Sequence, residues 1–126
     1  MAAVDKVLSG QRILVVEDEM LVLMETEDML ADLGCDAVVA AATNEQAIAL
    51  IEAQHFDAAL LDVNLHGVKS YPVADLLAAR GVPFAFATSY GGHGLREGDR
   101  ERPLLVKPFE CDRLERLLKE LLSAPK

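Results

Sequence analysis

Short apolar segments alternate with segments of helical periodicity along this chain, and that alternation constrains the fold more than any other feature. Five segments are apolar enough to be strands, and in chain order they are RILVV, DAVVAA, DAALL, PFAFA and PLLV. Strands that alternate with helices indicate a parallel sheet covered on both faces. Nearly continuous apolar strands are what such a sheet requires, because both of its faces are buried.

The segments between the strands predict amphipathic helices. Apolar spacing predicts the first over residues 20–33. Thr43 and Gln46 match a capping box at the start of the second helix. Ser70 followed by Pro72 predicts that Ser70 caps the third. The last helix has an i, i+3, i+4, i+7, i+8 stripe of leucines, namely Leu114, Leu117, Leu118, Leu121 and Leu122.

One segment breaks the pattern between the fourth and fifth strands. The stretch SYGGHGLREGDRER contains four glycines and almost no apolar periodicity. Glycine costs a helix about 1 kcal/mol per position relative to alanine. The sequence therefore predicts a doubly wound, five-stranded α/β fold with a short or missing fourth helix.

Composition excludes several classes of protein. A length of 126 residues suits one domain, and a net charge of −9 argues against a nucleic-acid surface. No apolar run is long enough to span a bilayer, and the first residues do not form a signal peptide. Cys35 and Cys111 lack metal-ligand or redox spacing, which is typical of reduced thiols. We expect a cytoplasmic protein that binds neither nucleic acid nor membrane.

Polar residues collect at the carboxyl ends of the predicted strands, where ligands bind in an open parallel α/β sheet. These residues are Glu17, Asp18 and Glu19 after the first strand, Asp62 after the third, Thr88 and Ser89 after the fourth, and Lys107 and Pro108 after the fifth. Glu19 is better explained as an acid in the first turn of a helix. The three histidines are too scattered for a zinc site.

Such a group of residues suits phosphoryl chemistry. Mg²⁺ is commonly held by one or two carboxylates together with water and phosphate oxygens. An ionised Asp62 beside the ion is a nucleophile toward phosphorus, and it would yield an aspartyl-phosphate. Lys107 supplies a point charge for one phosphoryl oxygen, and the hydroxyl of Thr88 donates to another.

The segments ILVVEDE, LLDVNL, FATS and LLVKPF, in this order and spacing, resemble the receiver domain of two-component response regulators. The resemblance implies a flavodoxin-like sheet in the order 2-1-3-4-5. We expect one receiver domain over residues 1–126, with a core of about 11–122, and no output domain. The resemblance also implies that a histidine kinase or a phosphotransfer protein donates a phosphoryl group to Asp62.

The same resemblance implies roles for individual residues. Glu17, Asp18, Asp62 and the backbone carbonyl of Asn64 match the Mg²⁺ ligands, and Mn²⁺ or Ca²⁺ would substitute for that ion. Thr88 matches the switch hydroxyl, while Lys107 matches the lysine that precedes a cis peptide bond to Pro108.

A narrower resemblance links PFAFATSYGG and LLDVNLHGVKSYPVADLL to the FAT GUY receivers. Those receivers are often paired with kinases of the HWE or HisKA2 type and tend to have a degraded fourth helix. Two positions depart from ordinary receivers: Leu104 stands in place of an aromatic switch residue, and His66 stands where many receivers have proline. We expect Ser89 and Tyr90 to modulate the site, with Tyr90 replacing the missing aromatic.

We expect a stand-alone, monomeric receiver that signals through contact with an unknown downstream protein or drains a kinase as a phosphate sink. It would be no enzyme beyond phosphoryl transfer to Asp62 and the loss of that group. Two alternatives remain. A phosphohydrolase with an aspartate nucleophile needs a second acid two residues later, where Asn64 stands. A pseudo-receiver would bind partners without being phosphorylated.

Overall fold

The computed structural model describes residues 8–89, 95–99 and 102–123 of the chain. Its strands are β1 (Arg12–Val16), β2 (Ala37–Ala41), β3 (Ala58–Asp62), β4 (Asn64–Leu65), β5 (Val68–Lys69), β6 (Phe84–Thr88) and β7 (Leu104–Val106). Its helices are α1 (Met20–Asp32), α2 (Asn44–Ala53), α3 (Tyr71–Ala79) and α4 (Cys111–Ser123). The five predicted strands and the four predicted helices are therefore confirmed.

The five long strands form one parallel sheet in the order β2-β1-β3-β6-β7. This is the predicted doubly wound order, once β4 and β5 are set aside as a separate hairpin. Because all five strands run in the same direction, their carboxyl ends meet at one edge of the sheet. The residues that follow β1, β3, β6 and β7 are thereby brought to that edge.

Two apolar layers cover the two faces of the sheet. Residues of α2 and α3, among them Ile51 and Leu77, pack with Leu61 and Phe86 on one face. Leucines of α4 pack with Leu30 of α1 and with strand residues on the other face. Four of the five leucines predicted as the apolar stripe of α4 are buried and Leu122 is partly buried, whereas the polar residues between them are exposed or partly exposed.

The start of α2 follows the predicted capping box in part. Thr43 Oγ1 accepts a hydrogen bond from the backbone N–H of Gln46 at 3.1 Å. The side chain of Gln46 accepts instead from the N–H of Ala42, one residue before the expected partner. Both contacts satisfy donors that a helix start leaves without helical partners.

The prediction that the Ser70 side chain caps α3 is wrong. Ser70 occupies the capping position, but its hydroxyl makes no capping hydrogen bond. It donates to the backbone carbonyl oxygen of Asp62 at 2.6 Å and approaches that of Val63 at 3.2 Å. A buried hydroxyl needs a partner, and Ser70 finds it in these carbonyls instead of in the N–H groups of the helix.

The described part of the segment between β6 and β7, residues 95–99, agrees with the prediction of a short or missing helix. It contains one 3-10 turn, Glu97–Asp99. Leu95 before the turn and Asp99 within it are buried, so residues 95–99 pack against the rest of the domain.

The hairpin of β4 and β5 was not predicted. Asn64 pairs with Lys69 and Leu65 with Val68, which leaves His66 and Gly67 as a two-residue turn. Both turn residues have positive φ, 52° for His66 and 83° for Gly67, as a type I′ turn requires. The sequence signal was weak, because histidine is a less frequent turn residue than the asparagine or aspartate usually found before such a glycine.

Candidate functional site

The carboxyl edge of the sheet brings together residues that are far apart in the sequence. Carboxylate oxygens of Glu17, Asp18 and Asp62 lie within 4.8 Å of one another. Glu17 and Asp62 are buried, and Asp18 is partly buried. Glu17 and Asp18 follow β1 directly and Asp62 ends β3, so the pairing of these adjacent strands places the three carboxylates together.

Lys107 is the cation that faces this cluster. Its Nζ lies 3.0 Å from Glu17 Oε1 and 3.3 Å from Asp62 Oδ2. Its side chain is only 9% exposed, so the charge is largely shielded from water. One ammonium thus serves two buried carboxylates, and its contact with Glu17 was not predicted from the sequence.

The cluster holds more negative charge than Lys107 can offset. Burial raises the pKa of Glu17 from 4.5 to about 7, and the nearby charge of Asp62 adds to the rise despite hydrogen bonds from the backbone of Glu19 and from Lys107. Burial also raises the pKa of Asp62, against the attraction of Lys107. A second cation in the cluster would stabilise both ionised carboxylates.

Lys107 itself stays charged. Burial alone would lower its pKa, but its hydrogen bond to Glu17 and the charges of Asp62 and Glu17 raise the pKa above the ordinary lysine value. The site therefore presents a fixed positive charge beside the carboxylate of Asp62.

Asp18 points toward the β4–β5 hairpin. The backbone N–H of His66 donates to Asp18 Oδ2 at 2.8 Å, and His66 Nδ1 lies 3.4 Å from the same oxygen. The predicted ligand residue Asn64 begins this hairpin, and its N–H lies 3.4 Å from Asp62 Oδ1. Sequence reasoning missed the contribution of His66, because the turn that aims its N–H was not foreseen.

Thr88 and Ser89 lie at the end of β6, beside the acidic cluster. Thr88 is buried, and its carbonyl oxygen accepts from the N–H of Lys107 at 2.8 Å. Ser89 is exposed and lines a cleft of about 250 Å³ together with Lys107 and Pro108. The cleft runs between α1 and the start of α4, so a partner has a route to this side of the site.

Of the three other positions predicted to modulate the site, the structure describes two. The peptide bond between Lys107 and Pro108 is cis, as expected. Leu104 is half-buried in β7 and packs against the apolar layer that contains Phe86. Tyr90 lies outside the described residues, so its assigned role stays a prediction.

The remaining candidates have structural roles, one of which differs from the prediction. Glu19 occupies the capping position before α1 and not the first turn, which contains no acid, and its N–H donates to Glu17 Oε2 at 3.1 Å. Cys35 and Cys111 are free thiols. Among the residues that the structure describes, no helix is long and apolar enough to cross a membrane.

The donor set fits a hard divalent cation. Its three carboxylates are the ligands that Mg²⁺ and Ca²⁺ prefer, and they lie close enough together to share one ion. Burial and the charge of Asp62 raise the pKa of Glu17, and burial raises the pKa of Asp62, so a cation beside them would favour the ionised form of both carboxylates.

Comparison with known proteins points the same way. The chain is 31% identical over 115 residues to the phyllosphere-induced regulator PhyR of Methylorubrum extorquens, covering 87% of this chain and 43% of that protein. The chain spans about half the length of the curated relatives it matches.

Two solved structures are close in fold. The BeF3-activated conformation of SdrG from Pseudomonas melonis superposes with a TM-score of 0.79, at 44% identity, over 90% of this chain and 98% of that one. The receiver domain of the sensor histidine kinase PA1611 from Pseudomonas aeruginosa, which has a magnesium ion coordinated in its active site cleft, gives a TM-score of 0.77 at 31% identity. That match covers 92% of this chain and 100% of the other.

A protein-family match also covers most of the chain. Residues 13–119 match the family described as the response regulator receiver domain, and this range includes every member of the acidic cluster and Lys107. The chain therefore belongs to the response regulator receiver domain family.

Proposed function

We propose that this chain accepts a phosphoryl group on Asp62 in a Mg²⁺-dependent reaction of two-component signalling. One observation carries the proposal: the buried Asp62 carboxylate lies in a cluster of three acids and 3.3 Å from Lys107 Nζ. A nucleophile, a place for a divalent cation and a fixed positive charge are thus close together at the exposed edge of the sheet.

The phosphoryl donor is a phosphohistidine of a histidine kinase or a phosphotransfer protein. A carboxylate oxygen of Asp62 forms a bond to phosphorus as the bond between phosphorus and the donor nitrogen breaks. The electron pair of the broken bond stays on the imidazole, which takes up a proton. Mg²⁺, held by Glu17, Asp18, Asp62 and the carbonyl of Asn64, would neutralise charge on the phosphoryl oxygens.

The residues of this chain then respond to the new group. The ammonium of Lys107, which already faces Asp62, moves from Glu17 to a phosphoryl oxygen. The hydroxyl of Thr88 donates to a second oxygen. Because Thr88 ends β6, these contacts bias the segment that follows it between two arrangements.

The partner is a protein. The motif PFAFATSYGG supports the FAT GUY subset and, with it, a kinase of the HWE or HisKA2 type. The resemblance to the phyllosphere-induced regulator PhyR supports a regulatory role. Whether the phosphorylated form signals to a downstream protein or drains a kinase is decided by that partner. We infer a cytoplasmic monomer.

The direct test is incubation with acetyl phosphate and Mg²⁺, followed by intact-mass measurement. We expect the wild type to gain one phosphoryl group, and Asp62→Asn or a chelator to abolish the gain. Asp75→Asn is the matched control, because it removes an exposed carboxylate of α3 that takes no part in the site. A gain that survives Asp62→Asn overturns the proposal.

The same samples separate the alternatives. A pseudo-receiver gains no phosphoryl group even at saturating Mg²⁺. A phosphohydrolase turns over p-nitrophenyl phosphate continuously. Asn64 lacks the carboxylate that a general acid two residues after the nucleophile would supply, so we expect no sustained turnover.

A further inference from the structure

We propose that the turn of the β4–β5 hairpin positions Asp18 for the divalent cation, through the backbone N–H of His66. This inference rests on the proposed function, since it names a positioning residue for the same site. The contact that carries it is the 2.8 Å hydrogen bond from the N–H of His66 to Asp18 Oδ2.

The hairpin aims two N–H groups at the acidic cluster. The N–H of Asn64, in β4, approaches Asp62 Oδ1, and the N–H of His66, in the turn, binds Asp18 Oδ2. The hairpin thus contacts carboxylates at the ends of two different strands of the main sheet.

The backbone geometry of the turn makes the second contact possible. His66 has a φ of 52°, a value that is uncommon for residues other than glycine, although asparagine, aspartate and histidine adopt it more often than the rest. A residue held in this conformation indicates a surrounding structure that enforces it. Proline cannot adopt it and lacks an N–H, so proline at this position would remove the donor.

The base of the hairpin is fixed to the domain, so the turn is held in place. Leu65 is buried, and the carbonyl oxygen of Lys69 accepts from Asn44 Nδ2 at 3.1 Å. Ser70 donates through its hydroxyl to the carbonyl oxygen of Asp62 and through its N–H to that of Val63. These contacts connect the hairpin to α2 and to the end of β3.

The hydrogen bond orients Asp18 without occupying it. A carboxylate offers about four lone-pair sites, so one N–H leaves ample capacity for a cation. Hydrogen bonds that orient ligating carboxylates typically change metal affinity about 10-fold or more when removed. We expect the turn to contribute an effect of that size.

The experiment measures Mg²⁺ affinity by isothermal titration calorimetry of the full chain. His66→Pro should bind Mg²⁺ about 10-fold more weakly than the wild type. His66→Asn keeps the N–H and tolerates positive φ, so it should stay within about 2-fold. Val68→Thr, an exposed change on the other strand of the hairpin, is the matched control and should leave the affinity unchanged.

Two further measurements separate positioning from a merely structural effect. In an Asp18→Asn background, His66→Pro should cause no further loss of affinity, since the carboxylate it orients is gone. Hydrogen exchange followed by NMR should show a His66 amide that is protected in the wild type and loses protection in Asp18→Ala, which removes the acceptor oxygen. This second measurement needs no folded proline variant.

The outcomes distinguish the two proposals. If the wild type binds no Mg²⁺, the proposed function fails. If the wild type binds Mg²⁺ and His66→Pro binds it equally well, only this inference fails. An unprotected His66 amide, or effects of His66→Pro and Asp18→Asn that simply add, would also overturn it.

Discussion

At the carboxyl edge of the sheet three carboxylates face one ammonium group, whereas beside α3 two carboxylates face two guanidinium groups. The first group consists of Glu17, Asp18, Asp62 and Lys107. The second consists of Asp75, Asp99, Arg96 and Arg102. Each group contains a buried aspartate, Asp62 in one and Asp99 in the other, but the charges around these two aspartates differ.

The group beside α3 is balanced. The carboxylate of Asp99 accepts hydrogen bonds from Arg96 Nε at 2.9 Å and from Arg102 Nε at 3.2 Å. Arg96 also binds both carboxylate oxygens of Asp75, and its guanidinium lies over the ring of Tyr71. These contacts connect the 3-10 turn to α3. An ordinary helix in this position would be held by apolar packing instead.

The group at the sheet edge is unbalanced, and the difference is informative. Its buried carboxylates have raised pKa values, so the free protein is strained electrostatically at the very place where a cation and a phosphoryl group are proposed to bind. A buried aspartate with matching guanidinium partners stabilises the fold, whereas an excess of buried carboxylates favours the binding of a cation. Two substitutions in each group test whether charge balance explains this difference.

Asp99→Asn should lower the free energy of unfolding by about 3 kcal/mol, because the buried carboxylate accepts charge-assisted hydrogen bonds from two guanidinium groups that an amide cannot replace in full. Urea denaturation of the wild type and the variant would measure the loss. Mg²⁺ binding should persist in the variant under native conditions. An unchanged urea midpoint would mean that the balanced group does not hold the segment in place.

Glu17 should make the protein less stable as the pH rises. Its pKa of about 7 lies above its ordinary value of 4.5, so its stabilising contribution is complete below about pH 4.5 and is lost as the pH rises through about 7. In a chelator, the wild type should lose about 2 kcal/mol of stability relative to Glu17→Gln between about pH 5 and about pH 8.

This comparison with Glu17→Gln removes the titration of all other groups. Thermal or urea unfolding across the pH range gives the difference directly. Saturating Mg²⁺ should shrink it, since the cation takes over the role of the proton. A difference that is flat with pH would contradict the account of the acidic cluster.

Asp62→Asn should stabilise the protein in chelator by about 1 kcal/mol, because it relieves repulsion while Lys107 keeps Glu17 as a partner. The sign is opposite to that expected for Asp99→Asn. In Mg²⁺ the wild type should be the more stable of the two, because it gains binding free energy that the variant lacks. Melting temperatures in chelator and in Mg²⁺ would test both signs, and destabilisation in chelator would refute the idea of stored repulsion.

Asp75→Asn should have the smallest effect, about 0.5 kcal/mol, because the side chain of Asp75 is 65% exposed and exposed ion pairs contribute little. The loss should diminish in high salt. Denaturation curves at two salt concentrations would measure it, and a loss as large as that of Asp99→Asn would show that burial does not govern these pairs.

The sequence predicted the sheet and the site well for a common reason. Apolar runs identify buried parallel strands, and the topology of such a sheet brings the residues at the strand ends to one edge. Asp18, Asp62 and Lys107 could therefore be grouped before any distance was known. The short or missing helix before β7 was predicted on a different ground, namely the glycines and the lack of apolar periodicity in that segment.

The parts that were missed depend on contacts between residues of ordinary appearance. Arg96 and Asp75 are 21 residues apart, and nothing in a glycine-rich polar segment indicates that they meet. The hairpin turn depends on a histidine with positive φ, which propensity disfavours. Ser70 matched a helix-capping pattern, yet its hydroxyl donates to the backbone carbonyl oxygen of Asp62.

We infer that the three acids at the sheet edge form one divalent-cation site around Asp62. A crystal structure grown with Mn²⁺ shows whether the ion binds there. Anomalous difference maps locate Mn²⁺ without reference to any assumed site. The account predicts a peak within coordination distance of the carboxylates of Asp18 and Asp62, which disappears in Asp62→Asn crystals. Maps from saturated crystals with no peak between those carboxylates would contradict it.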